Sequence, residues 1–255
     1  MLGEIYTTIL FQPIYNLLVF FYDTLPFHDI GIAIILVTLI VKGILFPLTF
    51  KSLKSQKEMQ EIQPKIKEIQ AKYKDDKEKL ASELMAVYKN HNVNPLASCF
   101  PLLIQLPIFI ALFQVLRTGL GEVQGDLLYS FVSNPGAIDP MFFGFIDLSV
   151  ISIPFAILAA IAQYFQAKKT MARRPAKEVR SSAGAQDEDM MANMNRMMLY
   201  FMPIMTLVIG CTSLPGGVML YWMATTVLTI VLYSIFLPKK KDLEDNKSKE
   251  LATKE

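Results

Sequence analysis

Histidine, cysteine and tryptophan are scarce in this chain, with two, two and one in 255 residues. Charge is absent from long parts of it. Residues 95–116, 148–167, 197–214 and 216–237 contain no Asp, Glu, Lys, Arg or His at all. An enzyme working inside a membrane needs paired carboxylates, a Ser–His pair or a metal site. These stretches supply none, and His28 and His91 are predicted on opposite sides of the bilayer, so no catalysis and no cofactor are expected. No phosphate-binding loop is present, so no nucleotide is expected either. Cys99 and Cys211 are predicted near opposite membrane faces, too far apart for a disulfide, and ordinary apolar packing suits both. The first thirty residues hold no Lys or Arg. No basic segment followed by a short apolar stretch and a small-residue site is seen there, so neither a cleavable signal nor an Arg-rich transit peptide is expected.

What is present is a regular alternation of apolar runs and charged segments. Residues 31–50, 95–117, 148–167, 197–214 and 216–237 are each close to the roughly 20 residues that a helix needs to cross ~30 Å of hydrocarbon. Lipid cannot satisfy a bare backbone, so runs of this kind are read as helices. Basic residues test the assignment independently. Ten lie in residues 51–92, seven in 168–196 and six after Pro238, out of 25 in the chain. Residues 118–147 hold none. By the positive-inside rule the three basic segments are cytoplasmic, which puts the N-terminus outside and the C-terminus inside.

The predicted fold is therefore an all-α polytopic membrane protein with five transmembrane helices, a cytoplasmic antiparallel helical hairpin and an N-terminal interfacial helix. Residues 1–30 form the outer interfacial region, where Gln12 and Asn16 lie one helical turn apart in an apolar stretch. A core-facing segment is the alternative there. Residues 51–94 form the hairpin. Met59, Ile62, Ile66, Ile69 and Tyr73 make one apolar stripe, and Leu80, Leu84 and Val87 or Tyr88 make the second after a break at Asp75 and Asp76. Pro64 inside the first helix predicts either a later start or a kink. The outer loop, residues 118–147, is expected to be irregular. A cytoplasmic loop, 168–196, and a basic tail, 238–255, complete the plan, with no internal repeat of the kind transporters use.

Lys42 is the main functional candidate. It sits nine residues before Lys51, or ~13 Å of helix, beyond what a lysine stem covers by snorkelling. A cation at such depth costs about 2.5–3.5 kcal/mol even on a lenient insertion scale, so a polar interior is expected around it. Polar residues of other runs are the candidate lining: Thr38, Gln105, Gln163, Trp222, Thr225, Thr226 and Thr229. Each taken singly is more often a helix–helix hydrogen bond; together they outline a wet groove with one fixed positive charge. Gln163 is predicted to share a helix face with Ser152, Ala156 and Ala159. Methionines cluster at Met190, Met191, Met194, Met197, Met198, Met202 and Met205, where core filling is the expected role for most and an adaptable docking surface the alternative.

The stretch Asn94-Pro95-Leu96-Ala97-Ser98-Cys99-Phe100-Pro101-Leu102-Leu103-Ile104-Gln105-Leu106-Pro107 resembles the second-span signature of YidC-type membrane-protein insertases. Lys42 followed by Phe46-Pro47-Leu48 and a basic Gln- and Met-containing hairpin resembles the same family, as do Gln163 and Tyr221-Trp222. The resemblance runs from about Pro13 to Pro238. It implies a five-span core whose hydrophilic groove opens to the cytoplasm and to lipid and is closed outside. The groove's basic residue is usually arginine; lysine keeps the charge but loses the guanidinium fork. The chain resembles a minimal member, without the large outer domain or lipoprotein-type leader found in some. The implied partners are nascent membrane proteins, the bilayer, the ribosome and the Sec translocon, with no sequence-specific nucleic acid, in a bacterial plasma membrane. A small channel or transporter is the alternative function.

Overall fold

Pro13, Pro47 and Pro203 mark where helices of this protein widen or break. The computed structural model describes residues 2–73, 76–91, 100–170 and 197–236. Helix α1 is built from Leu2–Tyr6, a π-helical stretch Thr7–Phe11 and Gln12–Thr24. A second π-helical stretch, Met197–Phe201, leads into a helix at Met202–Thr212. Each π stretch contains the carbonyl that a downstream proline would strike, Ile9 for Pro13 and Leu199 for Pro203. Widening the turn moves that carbonyl out of the ring's way.

Pro47 acts more severely. Its ring would meet the carbonyl of Gly43, and there the helix ends. The predicted single span at residues 31–50 is in fact α2, Ile30–Ile44, followed by α3, Phe46–Lys72. The two are bent by 69° about Leu45. At the other end of α2, Asp29 caps the helix, its Oδ1 accepting from the Ile32 amide at 2.9 Å.

α3 runs from Phe46 through Pro64, so the helix does not start at the proline. α4, Lys77–Asn90, begins with Asp76 accepting from the Lys79 amide. Ile62, Ile66 and Val87 are buried between α3 and α4, with Ile69, Leu84 and Tyr88 around them. These are residues of the two predicted stripes. The side chain of Met59 and residue Asp75 lie outside the described residues.

Four further helices are α5, Phe100–Gly119; α6, Ile153–Thr170; α7, Met202–Thr212; and α8, Gly216–Phe236. Small residues let α6, α7 and α8 approach closely. A Cβ on Gly210 would stand 2.9 Å from that of Ala156, and one on Gly216 would stand 2.9 Å from that of Ser152. Among the described residues, Gly3–Thr24 and Gly216–Phe236 are long and apolar enough to cross a membrane, and the bent pair Ile30–Ile44 and Phe46–Ser55 adds a third if it acts as one span. The protein is thus an all-α membrane protein with short β elements in one loop.

That loop corrects the expectation of irregular chain. Gly121–Glu122 pairs antiparallel with Ala137–Ile138, and Met141–Phe142 with Ile146–Asp147. It is tied along the length of α1. Asn16 Nδ2 donates to the Leu127 carbonyl at 2.9 Å, and Asn16 Oδ1 accepts from the Tyr129 amide at 2.7 Å. The Tyr15 and Tyr22 hydroxyls accept from the amides of Gln124 and Asp139. Gln12 adds a bond to Leu127. The polar residues of the N-terminal segment therefore satisfy loop backbone, while Ile14, Leu18 and Val19 join the main core.

That core gathers at the loop end of the bundle. Ile30 and Ile34 of α2, Leu112 and Leu116 of α5, Leu148, and Met219 and Leu220 of α8 are all essentially inaccessible. At the far end a small cluster of Leu53 and Tyr233 packs with Phe50, and Phe46 meets Phe236.

Candidate intramembrane groove

The candidate site lies between the main core and the far-end cluster. Lys42 stands in the last turn of α2. Its Nζ donates to Gln105 Oε1 of α5 at 2.8 Å. Gln105 Nε2 in turn donates to the Tyr221 hydroxyl of α8. Three helices are thus joined by one chain of hydrogen bonds that begins at a cation.

Two features make the charge tolerable where it sits. Breaking the helix at Leu45 leaves Lys42 beside a helix C-terminus, whose free carbonyls favour a cation by about 0.3–1 kcal/mol in an exposed setting and more in a buried one. The Gln105 carbonyl supplies a charge-assisted hydrogen bond. A helical side chain also leans toward the N-terminus of its helix, which in α2 is the loop end, and Lys42 reaches Gln105 instead of snorkelling toward α3. No carboxylate pairs with it among the described residues.

The other predicted residues divide. Thr38, nearly inaccessible, donates to the Ile34 carbonyl of its own helix. Thr226 and Thr229 likewise donate to Trp222 and Thr225 carbonyls. Their donors are spent, but their lone pairs can still accept. Thr225 Oγ1 is buried with no hydrogen bond of normal geometry, next to the Tyr221 hydroxyl. Trp222 packs edge-on against Phe109 of α5, with centroids 5.3 Å apart. Gln163 turns elsewhere: its Oε1 accepts from Thr206 Oγ1 of α7, tying α6 to α7. The described contacts do not bring Gln163 to Lys42. Its predicted face-mates Ser152, Ala156 and Ala159 are buried.

Tyr221, read from the sequence only through the family resemblance, and Thr206 lie outside the predicted lining. A tyrosine hydroxyl in a charge-free run needs a partner when buried, and that requirement was a further available signal for Tyr221. Of the methionine cluster, Met202 and Met205 are exposed, so neither fills the core; the side chains of the other five lie outside the described residues, as does Cys99. Cys211 is a free thiol. A shallow apolar cleft of about 330 Å³ opens between α6 and α7, lined by Ala160, Tyr164, Pro203 and Leu207 among others. It is separate from Lys42.

The family model of the 60Kd inner membrane protein matches residues 20–242. The chain belongs to this family. It is 36% identical over 214 residues to the membrane protein insertase YidC of Fusobacterium nucleatum, covering 83% of this chain and 87% of that protein. Identity to the proteins of the same name from Pelobacter propionicus and Rickettsia bellii is 32% in each case, over 88% of this chain. The match spans 37% and 38% of those two longer relatives. All three are bacterial, and their shared name is that of an insertase, not of an enzyme. Within the 60Kd inner membrane protein family, then, this chain places a lysine, a glutamine and a tyrosine in one hydrogen-bonded line across three helices.

Proposed function

We propose that this protein is a membrane-protein insertase that passes nascent hydrophobic segments from the cytoplasm into the bacterial inner membrane through a polar, positively charged groove. The observation that carries the mechanism is the Lys42–Gln105–Tyr221 chain. Its ammonium is held by a neutral amide, so an arriving carboxylate or polar tail has a charge to compete for. Thr225 and Trp222 flank the line, and the free lone pairs of Thr38, Thr226 and Thr229 add acceptors. Such groups lower the cost of bringing a polar tail into low dielectric. Burial of the substrate's apolar segment in lipid supplies the driving force, and no nucleotide is required. Gln163, bonded to Thr206, holds α7 in place beside the groove.

In this reading five spans cross the bilayer: residues 31–50, 95–117, 148–167, 197–214 and 216–237. The N-terminus and the loop at 118–147 are outside; the α3–α4 hairpin and the tail are cytoplasmic, as the distribution of Lys and Arg requires. α1 is long enough to span, but it lies across the outer ends of the other helices. One end meets Gln114, near the close of α5, through Tyr6. The other meets Asp139 through Tyr22. The hairpin receives substrates, and the ribosome and the Sec translocon are its proposed partners.

The test is insertion into liposomes of a short single-span substrate with an acidic tail, read by protease protection. Native chain and Lys42→Arg are expected to insert it, and Lys42→Ala to lose insertion while remaining folded. Equal insertion by Lys42→Ala removes the groove charge from the mechanism. Failure of the native chain above empty liposomes removes the insertase function, and ion or solute flux then decides for a channel.

A further inference from the structure

We propose that the hairpin Met141–Asp147 is a membrane-docking element whose tip, Phe143 and Phe145, inserts into the interfacial layer of the outer leaflet and fixes the depth of this end of the bundle. The proposal rests on the assignment of the loop at 118–147 to the outer side, with α6 and α8 crossing the bilayer.

Phe143 and Phe145 are 61% and 73% exposed. Their rings run nearly parallel, with centroids 6.4 Å apart. Phe27, in the turn between α1 and α2, is 87% exposed. Asp29, two residues on, accepts from the Phe143 amide through Oδ2 at 2.6 Å. Three phenylalanines in water leave a large apolar area unburied, each about 150–250 Å² when fully covered.

The backbone is held so that the pair stays at the surface, with Phe143 next to Phe142 and Phe145 beyond it. Phe142, the residue before the tip, is buried with its ring seated on Gly31. Phe143 itself has φ of 52°, the left-handed region that a bulky side chain adopts only under constraint. Gly144 follows at φ 75°. Asp29 and Phe142 supply the constraint. Phe143 leans on the buried Phe142 ring with one face, centroids 4.2 Å apart, and leaves the rest of its ring and that of Phe145 exposed.

Two observations select lipid as the occupant. First, the apolar exposure continues along the chain from the hairpin into α6: Val150, Ile151, Ile153, Ile157 and Ile161 are all exposed. The tip thus extends a helix flank that faces hydrocarbon. Second, residues 118–147 contain no Lys or Arg, but Glu122, Asp126, Asp139 and Asp147. Attraction to anionic headgroups cannot hold this loop at a membrane, whereas phenylalanine burial needs no headgroup charge.

The experiment uses the whole protein with Phe145→Trp, and separately Phe143→Trp, in phosphatidylcholine vesicles brominated either near the headgroup or deep in the chain. Trp222 emits in every sample; the native chain measures its share and reports whether α8 is in the bilayer. The added emission is expected to fall about twofold with the shallow bromolipid, as befits an aromatic at the interface. It should fall less with the deep bromolipid and little with aqueous iodide, and anionic lipid should change nothing. Added emission quenched by iodide and by neither bromolipid, with Trp222 still quenched, overturns the docking element alone. Quenching that requires anionic lipid overturns it as well. If Trp222, which faces the groove, escapes both bromolipids, the same measurement with Val231→Trp on the exposed flank of α8 decides: escape there too removes the span, and the docking element falls with it.

Discussion

The ring of Phe142 sits over Gly31 so closely that a Cβ on that glycine would lie 2.0 Å from its Cδ2. The contact joins the first turn of α2 to the hairpin of the loop and leaves no room for a methyl group. Gly31→Ala is expected to destabilise the protein by about 1–3 kcal/mol through overpacking, more than the roughly 1 kcal/mol that alanine contributes to a helix. Thermal unfolding in detergent measures it, and Phe142→Leu in the same chain should recover part of the loss.

Gln105 is both the acceptor for Lys42 and a donor to Tyr221. Replacing it with leucine removes a hydrogen bond to a charged group and leaves a tyrosine hydroxyl with one partner fewer. A loss of about 1.5–3 kcal/mol is expected, seen in the same unfolding assay. Gln105→Glu should behave differently: it pairs with Lys42, leaves folding intact and reduces insertion of acidic-tailed substrates more than of neutral ones. Equal insertion of both would remove the charge of Lys42 from substrate selection.

Asn16 is buried and bonds two backbone groups of the loop, the Leu127 carbonyl and the Tyr129 amide. Asn16→Leu strands the Tyr129 amide, at about 1–3 kcal/mol for a buried group left unmade, while the Leu127 carbonyl keeps its bond from Gln12. Hydrogen exchange of residues 124–132 should accelerate, while α3 and α4, which share no contact with this region in their own cluster, exchange as before.

Burial against Ile62 and Ile66 raises the Tyr88 phenol above its usual value of 10.0. The folded pairing of α3 and α4 therefore prefers the neutral phenol. Its contribution to stability is complete below pH 10 and is lost as the pH rises through the raised value. Limited proteolysis of the α3–α4 pair should speed up in that range, and Tyr88→Phe should remove the Tyr88 part of the change. Absorbance titration of the phenol checks the direction independently.

Part of this structure was legible because its signals are local. Asp76 starts a helix where a charged break interrupts two apolar stripes, and Ile62, Ile66 and Val87 meet as their spacing required. The break at Leu45 was not foreseen, although Gly43 and Pro47 stand in the sequence, because an apolar run records transfer free energy and not helix continuity. The same limit hid the order in the loop at 118–147. Its glycines and prolines predict turns, but the partners that organise it are side chains of Tyr15, Asn16 and Tyr22, more than a hundred residues away.

A helical membrane protein of an insertase family, with one lysine deep in an apolar run, is readable from consecutive residues, because hydrophobic length, charge placement and motif spacing are local properties. What that lysine meets depends on the folded chain. Gln105 is 63 residues from it, and Tyr221 is 116 beyond Gln105. Their meeting depends on how closely the helices approach. Gly217 of α8 leaves the space for that approach, since a Cβ there would stand 3.3 Å from Leu116 of α5 and 3.4 Å from Ile34 of α2, and packing volumes of this kind are shared between distant segments.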